Sequence, residues 1–151
     1  MKRRSLLALI AATGAAGVPA LARAERPAIH VFKSAYCECC AAWVEHLRGA
    51  GFTVKVTVVD DTTAARKRLG MPDAFGSCHT ASVAGYVLEG HVPAAEVKRL
   101  LATRPDAIGL AVPGMPVGSP GMEVGTRQDP YDVLLVGRNG RSTVFATYPK
   151  R

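Results

Sequence analysis

Three of the four cysteines, Cys37, Cys39 and Cys40, fall within four positions, immediately after a strand-like segment and at the head of a helical one. Ala28 to Lys33 alternates apolar and polar residues in strand fashion, and Ser34 to Cys37 reads as a short loop. Cys39 to Ala50 places Trp43, Val44 and Leu47 on one helical face, with Gly49 and Gly51 at its end. Phe52 to Val59 is rich in β-branched residues with period-two alternation, a second strand. The chain is thereby committed to a β-α-β unit with thiols at the strand-to-helix junction. There the unpaired N–H groups and the positive end of the helix dipole favour thiolate over thiol.

The remaining pattern extends this unit. Thr62 or Thr63 can cap a short helix through Leu69, which Gly70 and Pro72 close. Ala81 to Leu88 forms one or two short strands around Gly85, and Pro93 suits the first turn of a helix through Thr103. Tyr131 to Val136 and Thr143 to Tyr148 flank Gly137-Arg138-Asn139-Gly140, an Asn-Gly hairpin signal. The order predicts an α/β fold, a thioredoxin-like sandwich with a small central mixed sheet and flanking helices. Val112 to Gly125 holds three prolines, four glycines, Met115 and Met122, which exclude a helix or an interior strand. A segment of that length without regular structure is uncommon unless it has a role.

The first 24 residues are read apart from the fold. Lys2, Arg3 and Arg4 precede an apolar run from Leu6 to Ala12 and a small-x-small signal at Ala22-Arg23-Ala24, the three parts of a secretory signal peptide. Domain organisation is expected as a signal peptide over 1–24 and one domain over 25–151. Arg3-Arg4-Ser5-Leu6-Leu7 also has a twin-arginine look, and the choice between export routes stays open. Gly14, Gly17 and Pro19 interrupt the apolar run well short of a bilayer span. Cleavage removes four cations from a formal net charge of +7, so the basicity is mostly targeting. No Lys/Arg stripe interleaved with aromatics remains, which argues against a nucleic-acid partner. Export implies an oxidising compartment, here the periplasm, where thiols need a disulfide partner or a metal.

Cys78, followed by His79, opens the second half of the constellation, and His91 stands further on beside Pro93. A structural disulfide from Cys78 to one of the three clustered cysteines is one reading, and a structural zinc site is another. Adjacent Cys39 and Cys40 diverge around the helix start, so three sulfurs closing on one ion would strain the turn, and bridging several ions fits better. Thiolates, thioethers and imidazoles together form the donor set that selects Cu(I). The candidate metal residues are Cys37, Cys39, Cys40, Cys78, His79, His91, Met115 and Met122. His30 and His46 are read as structural and Trp43 as core beneath the site. A thiol-disulfide oxidoreductase using Cys37 and Cys40 is the alternative from a different class.

Several segments resemble the CopG-type exported copper-resistance proteins: Tyr36-Cys37-x-Cys39-Cys40 with Trp43, Gly51-Phe52, Ser77-Cys78-His79-Thr80-Ala81, Gly85-Tyr86, Glu89-Gly90-His91-Val92-Pro93, and the Pro113 to Glu123 run. The resemblance spans nearly the whole chain after the leader. It implies a periplasmic thioredoxin-like protein that binds copper as a polynuclear Cu(I)-thiolate centre, with copper-export or copper-carrier proteins as partners. Glu38 departs from the pattern, which has Gly between the first two cysteines. Its side chain would resist a positive φ, and its carboxylate would raise the proton affinity of the neighbouring thiols.

Overall fold

The computed structural model describes residues 27–150; the expected signal peptide and its cleavage site lie outside them. One seven-stranded mixed sheet runs β2-β1-β3-β4-β5-β6-β7, larger than the small sheet expected. Its strands are β1 (Ile29–Lys33), β2 (Val54–Val58), β3 (His79–Val83), β4 (Tyr86–Glu89), β5 (Gly109–Ala111), β6 (Tyr131–Val136) and β7 (Ser142–Tyr148). The helices are α1 (Glu38–Gly49), α2 (Thr62–Leu69) and α3 (Ala94–Thr103). β1 and β2 pair in parallel across α1, the β-α-β unit that the sequence predicts.

Alternation along the strands divides the molecule into layers. Ile29 and Val31 of β1 share a face with Ala81 of β3 and Leu88 of β4. That face packs against Trp43, Val44 and Leu47 of α1 and Val97 and Leu100 of α3. Each such side chain, once buried, contributes roughly 1.5–3 kcal/mol. The opposite face carries a smaller cluster, Met71 with Val87, Ala111 and Val136, beneath α2. Helices on both sides thus cover the middle of the sheet, while the edge strands β2 and β7 stay largely exposed.

Local signals differ from expectation in three places. Asp61, not Thr62 or Thr63, caps α2: its carboxylate accepts the N–H groups of Thr63 and Ala64 at 2.8 and 3.2 Å, a stronger acceptor than a hydroxyl at a helix start. The expected Asn-Gly hairpin forms, β6 pairing antiparallel with β7, but its turn over Gly137 to Gly140 is closed by Gly140 N–H to the Gly137 carbonyl and Gly137 N–H to the Arg141 carbonyl. Among the described non-glycine residues only Ala84 and Arg104 have positive φ, so Asn139 does not take the left-handed conformation of a type I′ turn. β5 is a three-residue strand too short to leave a pattern in the sequence.

Candidate metal centre

Cys37 is the N-cap residue of α1 and Glu38 its first residue. Glu38 is therefore helical and exposed, and its substitution for glycine strains nothing. Helical side chains lean toward the N-terminus, so the sulfurs of the first turn gather at the helix mouth instead of diverging. Cys78 Sγ, arriving from the loop before β3, lies 3.6 Å from Cys40 Sγ and 4.0 Å from Cys39 Sγ. Cys39 Sγ is 3.4 Å from Cys37 Sγ. All four sulfurs lie within 4.8 Å of one another, which corrects the expectation that adjacent Cys39 and Cys40 point apart.

Cys37 and Cys40 are joined by a disulfide, while Cys39 and Cys78 are free. The bond closes within the C-x-x-C pair and does not involve Cys78, in contrast to the cross-link considered from sequence. Neither free thiol is in line to exchange with it. An attacker in line at the 3.6 Å contact would stand more than 4.8 Å from the leaving sulfur once an S–S bond of ~2.0 Å is added, yet no pair exceeds 4.8 Å. The quartet is compact, a shape that suits shared ions better than an internal relay.

A second group joins the first through Cys78. His91 Nε2 stands 3.1 Å and His79 Nδ1 3.3 Å from Cys78 Sγ. Both imidazoles are fully buried. His91 Nδ1 is 2.9 Å from the Pro120 carbonyl; a carbonyl only accepts, so Nδ1 carries the proton and Nε2 turns its lone pair to the sulfur. His79 stacks at a tilt on Trp43 with ring centroids 4.3 Å apart, and its Nε2 has no hydrogen-bond partner among the described residues. Trp43 Nε1–H donates to the Val92 carbonyl at 2.8 Å, fixing the segment that carries His91.

Electrostatics keep the donors neutral. Burial, reinforced by the neighbouring His91, pulls His79 down to about 3. Burial likewise lowers His91, opposed by the Pro120 carbonyl and Glu123. Both imidazoles thus offer lone pairs at neutral pH without competition from protons. The Cys78 thiol is pushed up to about 12, by burial first and then by Cys39, so a soft cation binding there would displace a proton.

The Val112–Gly125 segment folds over this centre, and its contacts are made by backbone. The Pro120 carbonyl holds His91. Gly121, at φ +85°, has no room for a Cβ, which would stand 2.7 Å from the Cys39 carbonyl and 2.8 Å from the Trp43 nitrogen. Gly114 N–H reaches the Gly76 carbonyl at 3.2 Å, and the Ser77 hydroxyl donates to the Gly114 carbonyl. Met115 is half exposed and Met122 partly buried. His30, bonded to Thr57, and His46, bonded to the Ala94 N–H, lie apart from the two groups.

Sequence reasoning missed the residues that hold the frame. Glu89 is completely buried and paired with Arg66 of α2. Its place two residues before His91 was the one available signal, and nothing in the sequence pointed to Arg66 as its partner.

Residues 75–122 match a family described as a protein of unknown function, DUF411. That segment holds Cys78, His79 and His91 but not the cysteines of α1. No curated protein matches the chain. Two solved structures do: copper resistance protein CopG in its form 2, with 50% identity and a TM-score of 0.79, and in its form 1, with 50% identity and a TM-score of 0.78. Each match covers 83% of this chain and 100% of the other. With that identity carried over the full length of the solved relative, the chain belongs to the CopG copper-resistance family.

Proposed function

We propose that this protein is an exported, periplasmic copper-binding protein that sequesters or redox-processes copper and contributes to copper resistance. The observation that carries the reading is the convergence of four sulfurs within 4.8 Å, joined through Cys78 to two buried neutral imidazoles. Sulfur and imidazole form a soft donor set that favours Cu(I) over harder cations. The fit is supported by the lone pair that His91 turns toward Cys78 and by the unpartnered Nε2 of buried His79. Cys37, Cys39, Cys40, Cys78, His79 and His91 would hold copper, with Met115 or Met122 shielding it from the covering loop. Two electrons and two protons convert the Cys37–Cys40 disulfide to thiols, so the full sulfur set belongs to the reduced protein. The relatives' names and the signal-like leader support resistance and export.

The test is an anaerobic Cu(I) titration of the reduced protein against a chelator, with zinc as competitor. More than one Cu(I) per chain, retained against excess zinc, is the expected result. Loss of Cu(I) to zinc, or failure to compete with a weak chelator, would refute the reading. One copper held by two sulfurs would point instead to a carrier that hands copper to an exporter.

The disulfide itself favours a second reading, a periplasmic thiol-disulfide oxidoreductase using Cys37 and Cys40. Catalytic turnover of a disulfide substrate by the copper-free protein, abolished in Cys40→Ser, would support it. The compact placement of Cys39 and Cys78 favours the copper reading over it.

A further inference from the structure

Glu89 and Thr80 face each other across the β3–β4 ladder, on the side of the sheet away from α1. Glu89 Oε1 accepts the Ser77 N–H at 2.7 Å and lies 3.3 Å from Arg66 NH1. Arg66 is itself held by Asp73 through Nε at 3.2 Å and NH2 at 3.1 Å. Glu89 Oε2 and the Thr80 hydroxyl are buried across from each other, with no other partner among the described residues. A carboxylate at such depth costs several kcal/mol unless well paired. This one gives its shortest contact to the backbone of the residue before Cys78.

The same strand leads through Gly90 to His91. A Cβ on Gly90 would stand 2.5 Å from the Val112 carbonyl and 2.6 Å from the Ser77 hydroxyl, so the Cys78 loop lies directly against the strand end. Ser77 in turn holds Gly114 of the covering segment.

We propose that Glu89 is a positioning residue: by gripping the Ser77 amide from the end of β4, it sets the distance between Cys78, on the loop, and His91, two residues beyond the end of that strand. This deepens the copper reading and rests on it. Ser77 is the junction, since its N–H fixes Cys78 below and its hydroxyl fixes the covering segment above. Arg66, itself held by Asp73, keeps the carboxylate aimed.

The experiment compares Glu89→Gln, which retains an oxygen acceptor for Ser77, with the double variant Arg66→Met/Glu89→Leu, which removes acceptor and both charges together and so leaves no unpaired buried ion. In the reduced, metal-free proteins, alkylation of Cys78 by iodoacetamide is followed relative to Cys39 by peptide mapping. The double variant should alkylate Cys78 roughly tenfold faster, the scale of one lost hydrogen bond, while Glu89→Gln keeps the wild-type rate. Cu(I) affinity of the double variant, by chelator competition, should fall by roughly 10–100-fold, as for lost outer-shell partners of metal ligands. A folded double variant with wild-type alkylation and affinity would overturn the proposal. Absence of Cu(I) binding by the wild type would sink the copper reading and leave the alkylation result to decide the positioning. Should the double variant not fold, hydrogen exchange of the wild-type Ser77 amide decides: exchange as slow as the β3 and β4 amides supports the grip, and exchange at exposed-loop rates refutes it.

Discussion

His91 presents its Nε2 lone pair to Cys78 Sγ at 3.1 Å while both are tied to different parts of the chain. Neither residue can move without dragging a strand end or the covering loop. Because His91 is oriented by the Pro120 carbonyl, its role is separable from folding. His91→Asn should leave the far-UV spectrum intact and weaken Cu(I) binding by at least roughly tenfold. Chelator competition on the reduced protein is the check, and unchanged affinity would remove His91 from the centre.

Gly121 is where the covering segment touches α1. Gly121→Ala places a methyl against the Cys39 carbonyl and the Trp43 nitrogen, at a φ that side chains resist. The expected cost is about 1–3 kcal/mol in urea unfolding. The Cu(I)-loaded variant should also oxidise faster in air, since the segment is lifted from the sulfurs.

The methionines test whether that segment contributes more than cover. Met115→Leu and Met122→Leu preserve volume at a usual cost below about 1.5 kcal/mol. If the thioethers act at the metal, the double variant binds Cu(I) more weakly or loses it to air faster. Wild-type affinity, stoichiometry and oxidation rate would reduce the segment's role to its backbone contacts.

His46 links the helix of the cysteines to the start of α3, its Nε2 accepting the Ala94 N–H at 3.0 Å. Burial lowers its proton affinity, opposed by Glu123 and assisted by Lys98. A folded pKa below the unfolded value means that the unfolded chain binds the proton first. Stability from this group is therefore full above the ordinary histidine range, near 6.5, and declines as pH falls below it. His79, drawn down to about 3, adds a slope of the same sign. Urea midpoints of the metal-free protein should fall between pH 7 and 5, and His46→Gln, which keeps an acceptor without titrating, should flatten part of that fall. An unaltered slope in the variant would exclude His46 as a contributor.

The architecture was legible where side-chain period and local chemistry agree. The alternation of 52 to 59 and the face of Trp43, Val44 and Leu47 led directly to β2 and α1, within two residues at their ends. Cys37, Cys39, Cys40, Cys78, His79 and His91 were picked out by donor type, and the structure gathers them into two groups that share Cys78. Illegible were features that depend on which strands become neighbours. Nothing in the sequence places Glu89 against Arg66, because their pairing arises from α2 crossing one face of a sheet not yet assembled. The bond between Cys37 and Cys40 could be read only as one spacing among several, and the inward lean of the first helical turn reversed the expected divergence of Cys39 and Cys40.

The placement of Cys78 against Cys40, 38 residues earlier in the chain, has a consequence for folding thermodynamics. An ion bound across both halves closes a long loop and stabilises only the assembled sheet, so loaded protein should melt later with rising free metal. The clustered Cys37, Cys39 and Cys40, however, remain neighbours in the unfolded chain and keep some affinity there. Binding to that unfolded trio subtracts from the gain, leaving Cys78, His79 and His91 as the donors that convert metal affinity into fold stability.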